Sequence, residues 1–243
     1  LYIILPDPGK MGEMPLAKRK VLYLLHGLSD DGSAWQRYTA VETYAAHYGL
    51  VVVMPSFGRS FYLDQPNGQN YFTYLVEELP ATLEKVFGIK PNRENTMIAG
   101  NSMGGYGAFK AALLHPKLYS AAASFSGMLS LDVLQLLPDD PRKNEFMLLF
   151  GDLQSLPGSR HDPAVWLNQA AKNPELLPRL FISTGTLEDI YPLSMIFHAN
   201  CQSLGAPVTY REQEARHVWS FWDGELRWFL GQVLDQKEGA EGG

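Results

Sequence analysis

Short, unbroken apolar runs recur along the chain, separated by longer stretches with helical spacing. The runs fall at 1–5, 20–26, 50–54, 96–99 and 121–126, and residues 180–184 and 208–212 read as two later strands. The 20–26 run, continuous and rich in Leu, lacks the strict alternation of a half-exposed strand and predicts a strand covered on both faces. Pro6, Pro8 and Gly9 end the first run, and Pro55 stops the third. Apolar positions at helical spacing predict helices over about 35–47, 71–87, 103–114, 192–204 and 222–234. Pro80 should bend or begin a turn within the second of these, and His115-Pro116 should terminate the third. Strands alternating with helices predict an α/β architecture: a doubly wound, mostly parallel sheet in three layers. No shift in composition marks a second domain. Residues 130–178, irregular and interrupted by prolines, read as an insertion within a single domain spanning 1–237. The Gly/Glu tail 238–243 reads as disordered.

Composition narrows the classes of function. Of 243 residues, 46% are apolar and 19% charged, which is enough to bury a large core. A formal charge of −6 leaves no basic surface to neutralise phosphates, so no nucleic-acid partner is expected. The cluster Lys18-Arg19-Lys20 reads as a solvated approach to a strand. No run reaches the roughly 18 apolar residues of a membrane span. The single cysteine, Cys201, excludes an intrachain disulfide. It falls within a helical pattern without a basic neighbour, where a lone thiol behaves as a small buried hydrophobe. The chain opens at Leu1 and shows no signal peptide, so a cytoplasmic location is the expectation; self-association is left open.

The chemistry concentrates at Gly100-Asn101-Ser102-Met103-Gly104. A G-x-S-x-G sequence between a strand and a helix turns the chain so sharply that the serine projects from the bend, and Cβ atoms on its flanks would collide. Run 96–99 precedes it and the 103–114 helix follows. Ser102 is therefore the expected nucleophile. The spacings of a dinucleotide fingerprint and of a phosphate-binding loop are both absent here.

Such a serine needs an oxyanion hole, a base and an acid. The N–H of Met103 would supply one oxyanion donor. His26-Gly27-Leu28, closing the second run, would supply the other from Leu28. His26 precedes the nucleophile, against the chain order Ser, acid, His, and reads as structural. Among the later histidines, His115 ends the nucleophile's own helix and His198 lies inside a helix. His161 falls in the insertion, and His217 follows the last strand, where the base belongs. For the acid, Asp189 in Gly185-Thr186-Leu187-Glu188-Asp189 lies just past a core strand, with Glu188 beside it as the alternative. Asp152 and Asp162 read as turn or capping residues.

These segments resemble the esterase D and S-formylglutathione hydrolase family, most closely its tributyrin-esterase or acetyl-esterase branch. The likeness spans nearly the whole chain. It rests on Leu24-Leu25-His26-Gly27-Leu28, on residues 98–107 with their Ser-Met-Gly-Gly-Tyr-Gly run, on residues 185–191, and on His217-Val218-Trp219-Ser220-Phe221-Trp222. It implies an α/β-hydrolase fold, the triad Ser102, Asp189 and His217, and oxyanion amides at Leu28 and Met103. It also implies hydrolysis of short-acyl esters. Two departures stand out. Formylglutathione hydrolases usually carry a cysteine in the loop that here reads Ser29-Asp30-Asp31-Gly32, and the family begins with a strand or two upstream of Leu1.

The expected reaction is acyl transfer through Ser102 to water, with a small-molecule ester as substrate and neither metal nor organic cofactor. Transfer to a sugar or lipid hydroxyl, an S-formylglutathione or feruloyl specificity, and a ligand-binding module on a hydrolase scaffold are the alternatives. Trp35, Tyr106, Met128 and Trp219 are the candidate pocket walls.

Overall fold

The computed structural model describes residues 1–7, 14–135 and 140–235. The predicted disordered tail 238–243 lies outside these residues. Among them, seven strands form one sheet in the order β1-β3-β2-β4-β5-β6-β7. These are β1 (Tyr2–Ile4), β2 (Val21–Leu25), β3 (Val51–Met54), β4 (Thr96–Asn101), β5 (Ala121–Phe125), β6 (Arg179–Gly185) and β7 (Val208–Gln213). Edge strand β1 pairs antiparallel with β3, and every other pairing is parallel.

The layers follow from side-chain alternation along the strands. Val21, Tyr23 and Leu25 of β2 join the core on one face, with Val51 and Val53 of β3; Leu22, Leu24, Val52 and Met54 join the other. The first face is covered by helices Leu79–Phe87, Met103–Leu114, Pro163–Ala170 and Tyr191–Ser203. The second is covered by Ala34–Tyr38, Val41–Tyr48 and the C-terminal helix Trp219–Leu234. The inner strands β2 to β6 are buried and carry the continuous runs seen in the sequence, whereas the edge strands β1 and β7 are partly exposed and β7 includes Arg211 and Glu212.

Three helix predictions shift for local reasons. The helix expected over 35–47 is two helices, because the Thr39 hydroxyl takes the Trp35 carbonyl and accepts from the Val41 N–H at 3.2 Å. A side chain competing for backbone partners ends a helix in this way. Pro80 does not stop the 71–87 helix; a π turn, Tyr74–Glu78, sits immediately before Leu79–Phe87. Proline has no N–H to give and its ring crowds the carbonyl four residues back, so the register widens there. The last helix starts at Trp219, earlier than the predicted 222.

Within 130–178 lie the helices Lys143–Phe150 and Pro163–Ala170 and short 3-10 turns. The second of these helices packs on Met103–Leu114 and buries Trp166 and Leu167 in the main core. Asp152 and Asp162 cap a 3-10 turn and a helix, each accepting a backbone N–H. No helix among the described residues is long and apolar enough to cross a membrane.

Candidate active site

Ser102 stands between β4 and helix Met103–Leu114 at φ 53°, ψ −118°, a conformation rare outside glycine. Its N–H donates to the Phe125 carbonyl at 2.9 Å, and its own carbonyl accepts from Gly105 and Tyr106 in the first helical turn. The flanking glycines are sterically required. A Cβ at Gly100 would fall 2.4 Å from the Gly104 backbone, and one at Gly104 would fall 2.3 Å from the Leu25 carbonyl oxygen. Helix Met103–Leu114 thus presses directly against the end of β2, and the loop after β2 runs beside the serine: a Cβ on Gly27 would be 3.7 Å from that of Ser102.

That loop is anchored from behind. His26 is fully buried, its Nε2 accepting the Phe57 N–H at 3.0 Å and its Nδ1 lying 2.8 Å from the Gly27 carbonyl. Burial lowers the pKa of this imidazole. The Tyr62 hydroxyl donates to the His26 carbonyl at 2.8 Å. With both ring nitrogens engaged on backbone, His26 has the structural place that chain order assigns it.

Ser102 lines a cavity of about 510 Å³, and so do Leu28, Met103 and His217. Met103 is the first residue of its helix, where N–H groups have no intrahelical acceptor. Met128 and Trp219 line this cavity, together with Phe61, Phe146 and Arg142, which sequence patterns did not single out. Trp35 and Tyr106 do not. Both are fully buried: the Trp35 indole N–H donates to the Leu25 carbonyl at 3.0 Å, and the Tyr106 hydroxyl donates to the His161 carbonyl at 2.9 Å. Trp35 touches the site only by backing the Trp219 ring, edge-on at 5.0 Å.

His217 reaches the cavity from the loop after β7. Its Nδ1 lies 3.1 Å from Oε2 of Glu188, whose side chain is completely buried while the imidazole is 37% exposed. The other carboxylate oxygen of Glu188 accepts from the Ser126 hydroxyl at 2.7 Å and from the Gly185 N–H at 3.2 Å. Asp189, the expected acid, is exposed and lines the cavity without taking that place. The carboxylate on the imidazole is the neighbour, Glu188. Backbone direction decides between them. Past Gly185 the chain turns, with the Glu188 N–H on the Gly185 carbonyl at 3.3 Å, and residue 188 swings inward. Thr186 and Leu187 extend the β6·β7 pairing by bonding the carbonyls of Gln213 and Ala215, which brings the loop after β6 and the His217 loop together. A Cβ on Gly185 would strike the Ala215 carbonyl at 2.3 Å, so this approach needs glycine.

The remaining histidines lie elsewhere. His115 packs on Phe72 at the far end of the nucleophile helix, and His198 stacks on Tyr210 at 4.2 Å. His161 packs edge-on to Phe150, and burial lowers its pKa to about 4. The Cys201 thiol is buried and its pKa is pushed up to about 12, as befits an unreactive core residue.

The family model described as "Putative esterase" matches residues 1–228. The chain is 30% identical to an acetyl esterase of Caldicellulosiruptor saccharolyticus, over 90% of this chain and 84% of that protein. It is 26% identical to an S-formylglutathione hydrolase of Paracoccus denitrificans, over 93% and 85%. Among solved structures, a substrate-bound, fluorophosphonate-binding serine hydrolase of Staphylococcus aureus matches with a TM-score of 0.84 at 28% identity, covering 96% of this chain and 91% of the other. The chain belongs to the esterase D-like esterase family, carboxylic ester hydrolases of the serine-hydrolase class built on the α/β-hydrolase fold.

Proposed function

We propose that this esterase cleaves small-acyl esters through a covalent acyl-enzyme on Ser102, with His217 as base and Glu188 as the acid. In the first half-reaction His217 Nε2 takes the Ser102 proton while Oγ attacks the ester carbonyl carbon. The N–H groups of Leu28 and Met103 donate to the oxyanion as it forms. Glu188 accepts the Nδ1–H of the resulting imidazolium, which fixes the ring's tautomer and offsets its charge. The proton then passes to the departing alkoxide. Water, deprotonated by the same imidazole, repeats the attack and releases the acid.

The observation that carries this reading is Ser102, held at positive φ on a strand-to-helix bend, sharing one cavity wall with an imidazole already bonded to a buried carboxylate. A volume of about 510 Å³ lies within the ordinary range of sites for small-molecule substrates. The named activities of two relatives concern acetyl and formyl groups, the smallest acyl groups, and both point the same way. The test is hydrolysis of p-nitrophenyl esters from acetate to octanoate, with Ser102→Ala as control. Rates should be highest from acetate to butyrate and fall about 10⁴-fold or more in the variant. Octanoate as best substrate would overturn the small-acyl assignment, and hydrolysis surviving in the variant would overturn Ser102.

A further inference from the structure

Ser126, just past the end of β5, has a backbone that its side chain does not favour. Its φ is 49°, in the left-handed region where a non-glycine residue is strained. Its residue neighbour, Gly127, would bear that geometry freely, and so would glycine at 126 itself. What the hydroxyl contacts is therefore what a glycine at this point would lack. It does two things, both inside the protein: Ser126 is 0% exposed. The hydroxyl donates to Glu188 Oε1 at 2.7 Å, and its oxygen accepts the Trp222 indole N–H at 3.1 Å. The Trp222 ring in turn meets the His217 imidazole edge-on, with centroids 4.8 Å apart. The backbone holds the residue in register, since the Ser126 N–H donates to the Ser183 carbonyl of β6 at 2.8 Å.

A hydroxyl has one proton. Because the indole N–H occupies the oxygen as acceptor, the single O–H is directed to the carboxylate. Glu188 is a longer and freer side chain than aspartate, with one more rotatable bond between backbone and carboxylate. Two donors on Oε1, the Ser126 O–H and the Gly185 N–H, fix that bond and leave Oε2 facing Nδ1 of His217. From this geometry we infer that Ser126 is a positioning residue for catalysis: clamped by Trp222, it aims Glu188 at the histidine. The inference rests on Glu188 being the acid, as proposed above.

The test is a double-mutant cycle on kcat and KM with p-nitrophenyl acetate, using Ser126→Gly, Glu188→Ala and the double variant. Glycine deletes the hydroxyl at a φ it tolerates, so the fold is kept, and a thermal melt verifies this. Ser126→Gly should lower kcat roughly tenfold, the scale of one charge-assisted hydrogen bond, with KM unchanged. In the Glu188→Ala background the same change should alter kcat by less than about twofold, because a residue acting through Glu188 has nothing left to aim. Equal losses in both backgrounds, or no loss in the first, would overturn the role of Ser126 while leaving Glu188 in place. Wild-type kcat in Glu188→Ala itself would remove the acid assignment and this inference with it.

Discussion

Glu188 and Asp189 are neighbouring carboxylates, and their difference here is one of direction and burial. The first is enclosed and bonded by an imidazole, a hydroxyl and an amide; the second is exposed on the cavity wall. Glu188→Gln should therefore reduce kcat by about 10²–10⁴-fold, since an amide leaves the histidine in the wrong tautomer. Asp189→Asn should leave kcat near the wild-type value. Steady-state kinetics on one ester separates the two, and the reverse pattern would restore Asp189. Chain order along the sequence points to His217 ahead of His115, His161 and His198, because each loop's place on a parallel sheet is set by the strand before it, and His217 is the one of the four that lines the cavity with Ser102. It does not resolve two acids one residue apart in the same loop, where a single peptide rotation exchanges inside for outside. The candidate pocket walls show the same limit. Met128 and Trp219 face the cavity, while Trp35 and Tyr106 fill the core, and hydrophobicity alone cannot separate those fates.

At the scale of elements, the inner strands were legible because burial on both faces writes itself into the sequence as continuous apolar runs; edge strand β7, partly exposed and reading Val-Thr-Tyr-Arg-Glu-Gln, carries no such run. Helix ends were less so. The break at Thr39 and the π turn before Pro80 come from single side chains contesting backbone partners, which a hydrophobic period does not register. Glycines in helices illustrate the contrast in a testable form. Gly104 in Met103–Leu114 lies where a Cβ would be 2.3 Å from the Leu25 carbonyl, backbone against backbone, so helix or strand must shift. Gly104→Ala should cost about 1–3 kcal/mol, lowering Tm by roughly 2–12 °C for a chain of this size, and kcat should fall with it as Ser102 moves. Gly224 in Trp219–Leu234 has nothing within 4 Å of the same added atom. Gly224→Ala should instead stabilise by about 0.5–1 kcal/mol through helix propensity, with kcat unaffected. Thermal melts of the two variants, run side by side, give opposite signs if the close approach at Gly104 is what holds the bend.

Over the whole molecule, one lysine among the described residues is buried in the core. Lys110, from the nucleophile helix, is 7% exposed; its Nζ donates to the Tyr62 carbonyl at 3.1 Å and sits 3.9 Å above the Phe72 ring. The Tyr62 hydroxyl then holds the His26 carbonyl, so one buried path ties the nucleophile helix to the oxyanion loop. Burial lowers the lysine pKa from 10.5 to about 7, with Asp64 opposing the shift. The unfolded chain, whose lysine titrates normally, binds more protons than the folded one between those values. Unfolding then takes up a proton, and stability rises as pH increases through that interval. Buried tyrosines act the other way above about pH 10, since burial raises the pKa of Tyr62 and Tyr106 and only the unfolded chain ionises readily there. The informative window is thus pH 7 to 9. Urea unfolding across it should show wild-type stability climbing by up to about 1.4 kcal/mol per pH unit relative to Lys110→Met, which cannot titrate. Parallel slopes for the two proteins would mean that the lysine stays protonated in the folded state, held by the Tyr62 carbonyl and the Phe72 ring against the cost of burial.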